Sequence, residues 1–465
     1  MKKLMLSVAL LFATSMLFAQ TIQAPIPNPD PDPECTDCEV VKKDRIPVLE
    51  IPRLVYSVAL INTSDVISTG YLNNVVVNQT GAGNYSKVTQ KGLIPIFDPA
   101  GDKNDADVMQ TGVQNFSLIL QQGDEHEADV TQKGNLNYAN IWQLRKGNLA
   151  DINQDGNNNY AGIYQYGQDN DAKTGQTGNL NDAFQIQKGK SLFGQGYNND
   201  ADIVQNGNEN YAMQSQMGSG NVADMKQVGN NNTSHQFQVG DNNTAKFDQT
   251  GNNNYVIQTQ LGDDNLATVY DWGSQGNGNW VSQFQKGDDN EAKVHQLGND
   301  NDSFQKQIGD DNFTLADQHG NDNYIEVSQV GDDNDAHAYQ YGNENTAVQD
   351  QKGDYNSAYA FQKGNNNKSF ETQKAAPGNW PNENNTSNVY QLGNGNLACV
   401  DQYTEWWVNN VSDIDQLGNG NKVGVSQNAL NPGNSNWSKV LQTGNMNSAC
   451  VTQVGDTGIV VQPGG

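Results

Sequence analysis

The chain has 465 residues, of which only 35% are apolar, and a formal net charge of −27. So little apolar content excludes a wide conventional core, and the acidity excludes nucleic acid or an anionic membrane surface as the partner, because both need a basic face. Forty-seven glycines beside only 13 prolines, amid abundant Asn and Gln, point to a regular repeat and away from a disordered linker.

Met1-Lys2-Lys3, the apolar run from Leu4 to Phe18 and then Ala19-Gln20 have the layout of a secretory signal peptide, residues 1–19. The expected location is therefore secreted, extracellular or at the cell surface. No later stretch approaches the ~20 apolar residues of a membrane span. Residues 20–56 form a proline-rich leader with Pro25, Pro27, Pro29, Pro31, Pro33, Pro47 and Pro52. Prolines cannot donate to a sheet ladder and favour extended conformations, so the leader is expected to be a tether or export segment. Cys35 and Cys38 lie in this leader, with no second pair or histidine at metal-ligand spacing, and are expected to form a local disulfide or an inert loop.

The remainder, 57–465, obeys one rule from Asn62 almost to its end: Asn-x-(Ala/Ser/Val)-x-φ-x-Gln-x-Gly-x-x, an 11-residue unit repeated about 33 times. Asn, the small residue, φ and Gln stand at i, i+2, i+4 and i+6, so in a strand all four face one way. The inward amides include Asn290, Gln296, Asn312, Gln318, Asn323, Gln329, Asn334, Gln340, Asn345 and Gln351, while intervening residues such as Glu291, Lys293 and His295 face out and read as freely varying and polar. Gly followed by Asn or Asp supplies the positive-φ residues of a tight reversal. The expected fold is all-β: a two-sheet parallel β-solenoid, about 22 residues per rung and roughly 16 rungs, with Asn and Gln ladders inside. Identical amides stacked at ~4.8 Å satisfy one another, which removes the cost of burying them.

The pattern Gln-x-Gly-x-x-Asn-x-Ala-x-x-x-Gln, nearly whole in Gln205–Gln216, Gln216–Gln227, Gln285–Gln296 and Gln351–Gln362, resembles the curlin repeat of curli subunits, and the resemblance covers roughly 62–453. It implies a secreted structural subunit of amyloid fibres in the biofilm matrix, exported unfolded, served by secretion and nucleation machinery, and not an enzyme. Curlin subunits of this kind carry far fewer repeats, which leaves room for a long solenoid that folds before it polymerises. Several ladder positions depart from the pattern: His126 replaces Asn, Arg145 replaces Gly, Ser68 and Asp271 replace Gln, and Glu371 takes an inward site.

The two chain ends, Ser57-Val58-Ala59-Leu60-Ile61 and Ile459-Val460-Val461-Gln462, read as apolar strands without caps, so the expected partner is a second copy joined head to tail. Extra residues after Gln90, Gln187, Asp271, Gln373, Gln402 and Gln427 follow odd-numbered units in five of the six cases. They carry Pro95, Trp380, Trp406 and Trp407, candidates for lateral contact or adhesion. Turns on the same edge repeat Asp263-Asp264, Asp288-Asp289, Asp310-Asp311 and Asp332-Asp333. These read as a solvated acidic ridge or as a row of weak cation sites, since carboxylates suit calcium. The five histidines are expected to be solvated, apart from His126, and no cofactor is expected. Two rival classes are a monomeric adhesin or ice- or ligand-binding solenoid, whose flat face would repeat one residue type, and a polysaccharide-acting β-helix enzyme, whose carboxylates would cluster in one groove.

Overall fold

The computed structural model describes residues 61–92, 102–189, 198–270, 276–375, 384–404, 408–429 and 435–454, together with the backbone of 459–463. The signal peptide, the leader with Cys35 and Cys38, Ser57 to Leu60, Asp271, and the inserted Pro95, Trp380, Trp406 and Trp407 lie outside the described residues. The chain divides into two compact units, one within Arg45–Gly278 and the other within Asn279–Gly465. Among the described residues every element is a strand, and no helix is long and apolar enough to cross a membrane.

Among the described residues the amino unit holds 18 strands, from Thr63–Ser68 to Leu266–Tyr270, and the carboxyl unit 16, from Trp280–Lys286 to Ile459–Pro463. In both units each strand pairs in parallel with the next strand but one, so alternate strands make two sheets and two strands make a rung. We call these the odd and even sheets, counting from Thr63–Ser68. Gln110 lies against Gln132, one 22-residue rung later. An insertion changes the count and not the register: Gln176 still meets Gln205, 29 residues on, because the extra residues fall between the strands Asp182–Lys188 and Asp200–Asn206.

Alternation within a strand decides what is buried. In the strand Asp105–Val113 the residues Ala106, Val108 and Gln110 are buried while Asp105, Asp107 and Met109 are exposed. The apolar core is thin, with Val130, Ile141, Ile152 and Ile163 in the amino unit and Val400, Ile414, Val425 and Val440 in the carboxyl unit. Each contributes about 1.5–3 kcal/mol when fully buried, but such residues fill only one or two of the four inward places per strand. Amides fill the rest.

The outward faces correct the expectation that they are uniformly polar. The even sheet of the amino unit is mostly acidic, presenting Asp105, Asp107, Glu127, Asp129, Asp151, Asp200 and Asp202, with Met109, Leu149 and Val204 among them. The odd sheet departs furthest from that expectation: Tyr85, Phe116, Tyr138 and Tyr160 form one stacked column with ring centroids 5.0, 4.8 and 4.8 Å apart. Rings set at the strand spacing cover one another, which favours offset stacking. In the carboxyl unit the odd sheet places Trp280, Phe304 and Tyr324 outward, and all three are buried.

The register yields a direct test. Gln329 makes two ladder bonds and one across the interior from an inward position, whereas Ser328 faces outward between Lys306 and Asp350 and is buried by its neighbours. Gln329→Leu is expected to destabilise the chain by about 2–3 kcal/mol more than Ser328→Leu, because it orphans buried polar partners. Equal losses in urea unfolding would refute the register, since a one-residue slip exchanges the faces.

Candidate functional site

The inner ladders are the feature on which the whole chain is built. Gln307 donates from Nε2 to Gln329 Oε1 at 3.1 Å, and Gln329 donates in turn to Gln351 at 2.8 Å. The second N–H of each amide crosses the interior: Gln329 Nε2 reaches the Phe313 carbonyl at 2.9 Å, joining the odd sheet to the even one. Asparagine columns run the opposite way, with Asn334 Nδ2 donating to Asn312 Oδ1 at 3.0 Å, and the same oxygen accepts the backbone N–H of Asn334 at 3.1 Å. Every ladder residue from Asn290 to Gln351 named above is buried. Each such bond contributes about 1 kcal/mol net, and leaving one unmade costs more than making it gains.

A second glutamine column went unread in the sequence. Gln185, Gln214, Gln236 and Gln258 link at 3.0, 2.9 and 2.8 Å, and Gln283 meets Gln305 at 2.9 Å, all at the φ position two residues before a ladder glutamine. The signal was the recurring Gln-x-Gln of the odd strands. The departures from the pattern are absorbed in different ways. Ser68 still donates to Gln90 Oε1 at 2.8 Å. Arg145 takes a glycine-like φ of 93° and lays its guanidinium 4.7 Å over the Tyr166 ring. His126 and Glu371 are buried inside the columns.

The turns explain glycine and the Asx residues together. At Gly240 φ is +131°, and a Cβ there would lie 1.8 Å from the Gly262 carbonyl oxygen of the next rung, so no larger residue fits. Two residues beyond many of these glycines the left-handed position is held by Asn or Asp, as at Asn242, Asp264 and Asp333. On the even-to-odd edge Asn135 donates to Asn157 Oδ1 from both its backbone and its side chain, at 3.0 Å each. On the other edge the backbone N–H of Asp310 donates to Asp332 Oδ1 at 2.9 Å, and Asp332 N–H to Asp354 Oδ1 at 2.9 Å. Asp263 accepts from Asp241 N–H, and Asp310 from Asp288 N–H, in the same way. Asp263, Asp310 and Asp332 thus already serve backbone amides, while Asp264, Asp289, Asp311 and Asp333 occupy left-handed positions. Burial, followed by the charges of Asp333 and Asp289, raises the Asp311 carboxyl. On the even sheet, burial and neighbouring carboxylates push Asp129 and Asp202 up to about 6.

The histidines depart from the solvated reading. His235 packs between Tyr211 and Tyr255, and burial pushes its ring down to about 4. On the even sheet of the carboxyl unit His295 and His319 converge on Asp317, at 2.8 and 2.9 Å from its Oδ1. Among the described residues these are the one group of three His, Cys, Asp or Glu side chains whose donor atoms all lie within 4.8 Å of one another. The ridge aspartates do not form such a group. Burial opposes ionisation of Asp317, but the His295 hydrogen bond and the His319 charge hold its carboxyl below the ordinary value.

Five segments of the chain, residues 101–134, 146–178, 196–229, 240–270 and 320–348, match the family model of the curlin associated repeat. A search of curated proteins returns no match.

Proposed function

The chain carries curlin associated repeats, and from the one-way run of its glutamine ladders we propose that it is a secreted structural subunit of curli-like amyloid fibres in the biofilm matrix, polymerising head to tail and mediating adhesion. The supporting observation is polarity. In both units the glutamines that bond to one another donate toward the carboxyl end, from Gln79 Nε2 to Gln110 Oε1 in the amino unit and from Gln416 Nε2 to Gln442 Oε1 in the carboxyl unit. Copies stacked carboxyl end onto amino end continue each column in register, whereas head-to-head stacking sets donor against donor. Thr63–Ser68 adds a strand edge whose described pairing is with Tyr85–Lys91 alone, and its Val66 and Ile67 are exposed.

This reading carries with it residues 1–19 as a signal peptide, 20–56 as an export leader, and secretion and nucleation machinery as partners. It makes the chain a building block and gives it no catalytic role. Electron microscopy and thioflavin binding of purified residues 20–465 test it. Unbranched fibres are expected, and a chain that stays monomeric for days at high concentration overturns the proposal.

Charge sets the conditions. A carboxyl whose folded pKa is raised favours the protonated form in the stacked state, so the repulsive penalty is present above that pKa and disappears as pH falls toward 3.8. With Asp129 and Asp202 near 6, fibre growth is expected to be faster at pH 5 than at pH 8. Added salt should narrow the difference by screening the exposed charges. Rates indifferent to both would remove the acidic faces from the account.

A further inference from the structure

We propose that His295, Asp317 and His319 form a binding site for a late first-row transition-metal dication of the Zn2+ and Cu2+ class, on the outer face of the even sheet in the carboxyl unit. The strands Glu291–Leu297 and Phe313–His319 are parallel neighbours, with His295 opposite Asp317 and Leu297 opposite His319. Asp317 and His319 stand two apart on one strand and therefore share a face. The solenoid register thus assembles from two rungs what one strand cannot supply: two imidazoles and a carboxylate aimed at a common point.

The distances suit an ion. His295 Nδ1 and His319 Nε2 lie 2.8 and 2.9 Å from the same Asp317 oxygen. Metal–ligand bonds of about 2.0–2.2 Å require donors roughly 3.3 Å apart around a tetrahedral centre. Opening the cluster by about half an ångström therefore admits the metal, a motion within reach of ring and carboxylate rotation. The Tyr341 hydroxyl donates to the other Asp317 oxygen at 3.1 Å and orients the carboxylate from behind, as second-shell groups do in metal sites. The His319 ring rests on Tyr341 with centroids 4.7 Å apart, which fixes its plane. Side-chain exposures of 25% for His295, 16% for Asp317 and 34% for His319 leave an approach for the ion and room for a water ligand. Two imidazoles with one carboxylate select zinc, copper or nickel over the oxygen-seeking calcium.

The alternative is a His–Asp hydrogen-bond network that holds no metal. Titration of the full mature chain, without histidine tags, by Zn2+ in a calorimeter and by Cu2+ with electron paramagnetic resonance separates the two. One equivalent per chain is expected, with nitrogen couplings from two imidazoles in the copper spectrum. The variant His295→Gln with His319→Gln should bind at least tenfold more weakly and lose those couplings. Asp317→Asn should also weaken binding, while His337→Gln, on a histidine paired with Asp335 instead, should leave it unchanged. The substituted positions are on the surface, and unchanged circular dichroism verifies the fold. Equal binding by wild type and the double variant, or displacement of Zn2+ by millimolar Ca2+, overturns the proposal, because either result assigns the metal to carboxylates elsewhere.

Discussion

Glu371→Gln is expected to stabilise the chain by about 3 kcal/mol at pH 7, and by up to about 5 kcal/mol above pH 8, at 1.36 kcal/mol per pKa unit. Glu371 occupies the second glutamine column directly after Gln349, is buried, and accepts from Gln349 Nε2 at 3.3 Å and from Ser369 Oγ at 3.1 Å. Burial pushes its carboxyl up to about 8 against an ordinary 4.5, even though the hydrogen bonds from Ser387, Gln349 and Ser369 pull the other way. The folded chain therefore keeps a proton that the unfolded chain releases above 4.5. Between 4.5 and 8 the unfolded state binds fewer protons, so stability falls as pH rises through that window, and below 4.5 the group contributes no pH dependence. Glutamine resembles the protonated acid in shape and cannot ionise. Its amide would have the Tyr359 carbonyl within the same reach that Gln349 uses on the His337 carbonyl, 12 residues back. Urea unfolding of monomeric wild type and variant at pH 5, 7 and 9 measures the gap. A gap that does not widen with pH would mean that the carboxyl finds its charge compensated in the folded chain.

The inner half of this fold was legible because a ladder demands the same side chain at every rung. Gln110, Gln132 and Gln154 must recur for any one of them to be satisfied, so the structural repeat is printed directly as a sequence repeat. The outer half obeys a different period. Successive 11-residue units belong to opposite sheets, and the outward neighbour of a residue lies one full rung away. Compared at 11, Tyr138 lines up with Leu149 and the outward positions look mixed. Compared at 22, Tyr138 lines up with Tyr160, and Asp107 with Asp129 and then Asp151. Aromatic and acidic columns then separate.

The same arithmetic hid the His–Asp–His cluster. His295 and Asp317 are 22 apart and look unrelated in the linear chain, yet the register makes them lateral neighbours. The acidic ridge shows the other side of this: the acidic pairs were visible in the sequence, but the backbone bonds their first members make were not. An Asp at the first turn position supplies an oxygen to the N–H of the rung before it, the role Asn plays on the opposite edge. Only the backbone trace shows which carboxylate oxygens accept an amide of the neighbouring rung.

His126→Asn is expected to have little effect at pH 8, within about 1 kcal/mol, and to stabilise the chain by about 3 kcal/mol at pH 4. His126 stands in an asparagine column and is buried. Its backbone N–H donates to Asn104 Oδ1 at 3.0 Å, and its Nδ1 receives the Asn148 N–H at 3.3 Å, where one rung later Asn148 Oδ1 receives the Asn170 N–H at 3.2 Å. The imidazole can imitate the asparagine oxygen only while Nδ1 carries no proton, so the ring must be neutral with its hydrogen on Nε2, which lies 3.4 Å from the Gln122 carbonyl. Burial pushes the ring down to about 4 from an ordinary 6.5, against the partial support of the Gln122 carbonyl and the Asp124 charge. Below pH 6.5 the unfolded chain takes up a proton that the folded chain refuses. The unfolded state then binds more protons, and stability is lost as pH falls from 6.5 toward 4. Asparagine restores the column chemistry and removes the titration. The carboxylates of the acidic faces titrate in both proteins and cancel from the comparison, so the difference between wild type and variant isolates one ring. If that difference is the same at pH 8 and pH 4, the histidine is not held neutral by its column, and the inward assignment of this rung fails.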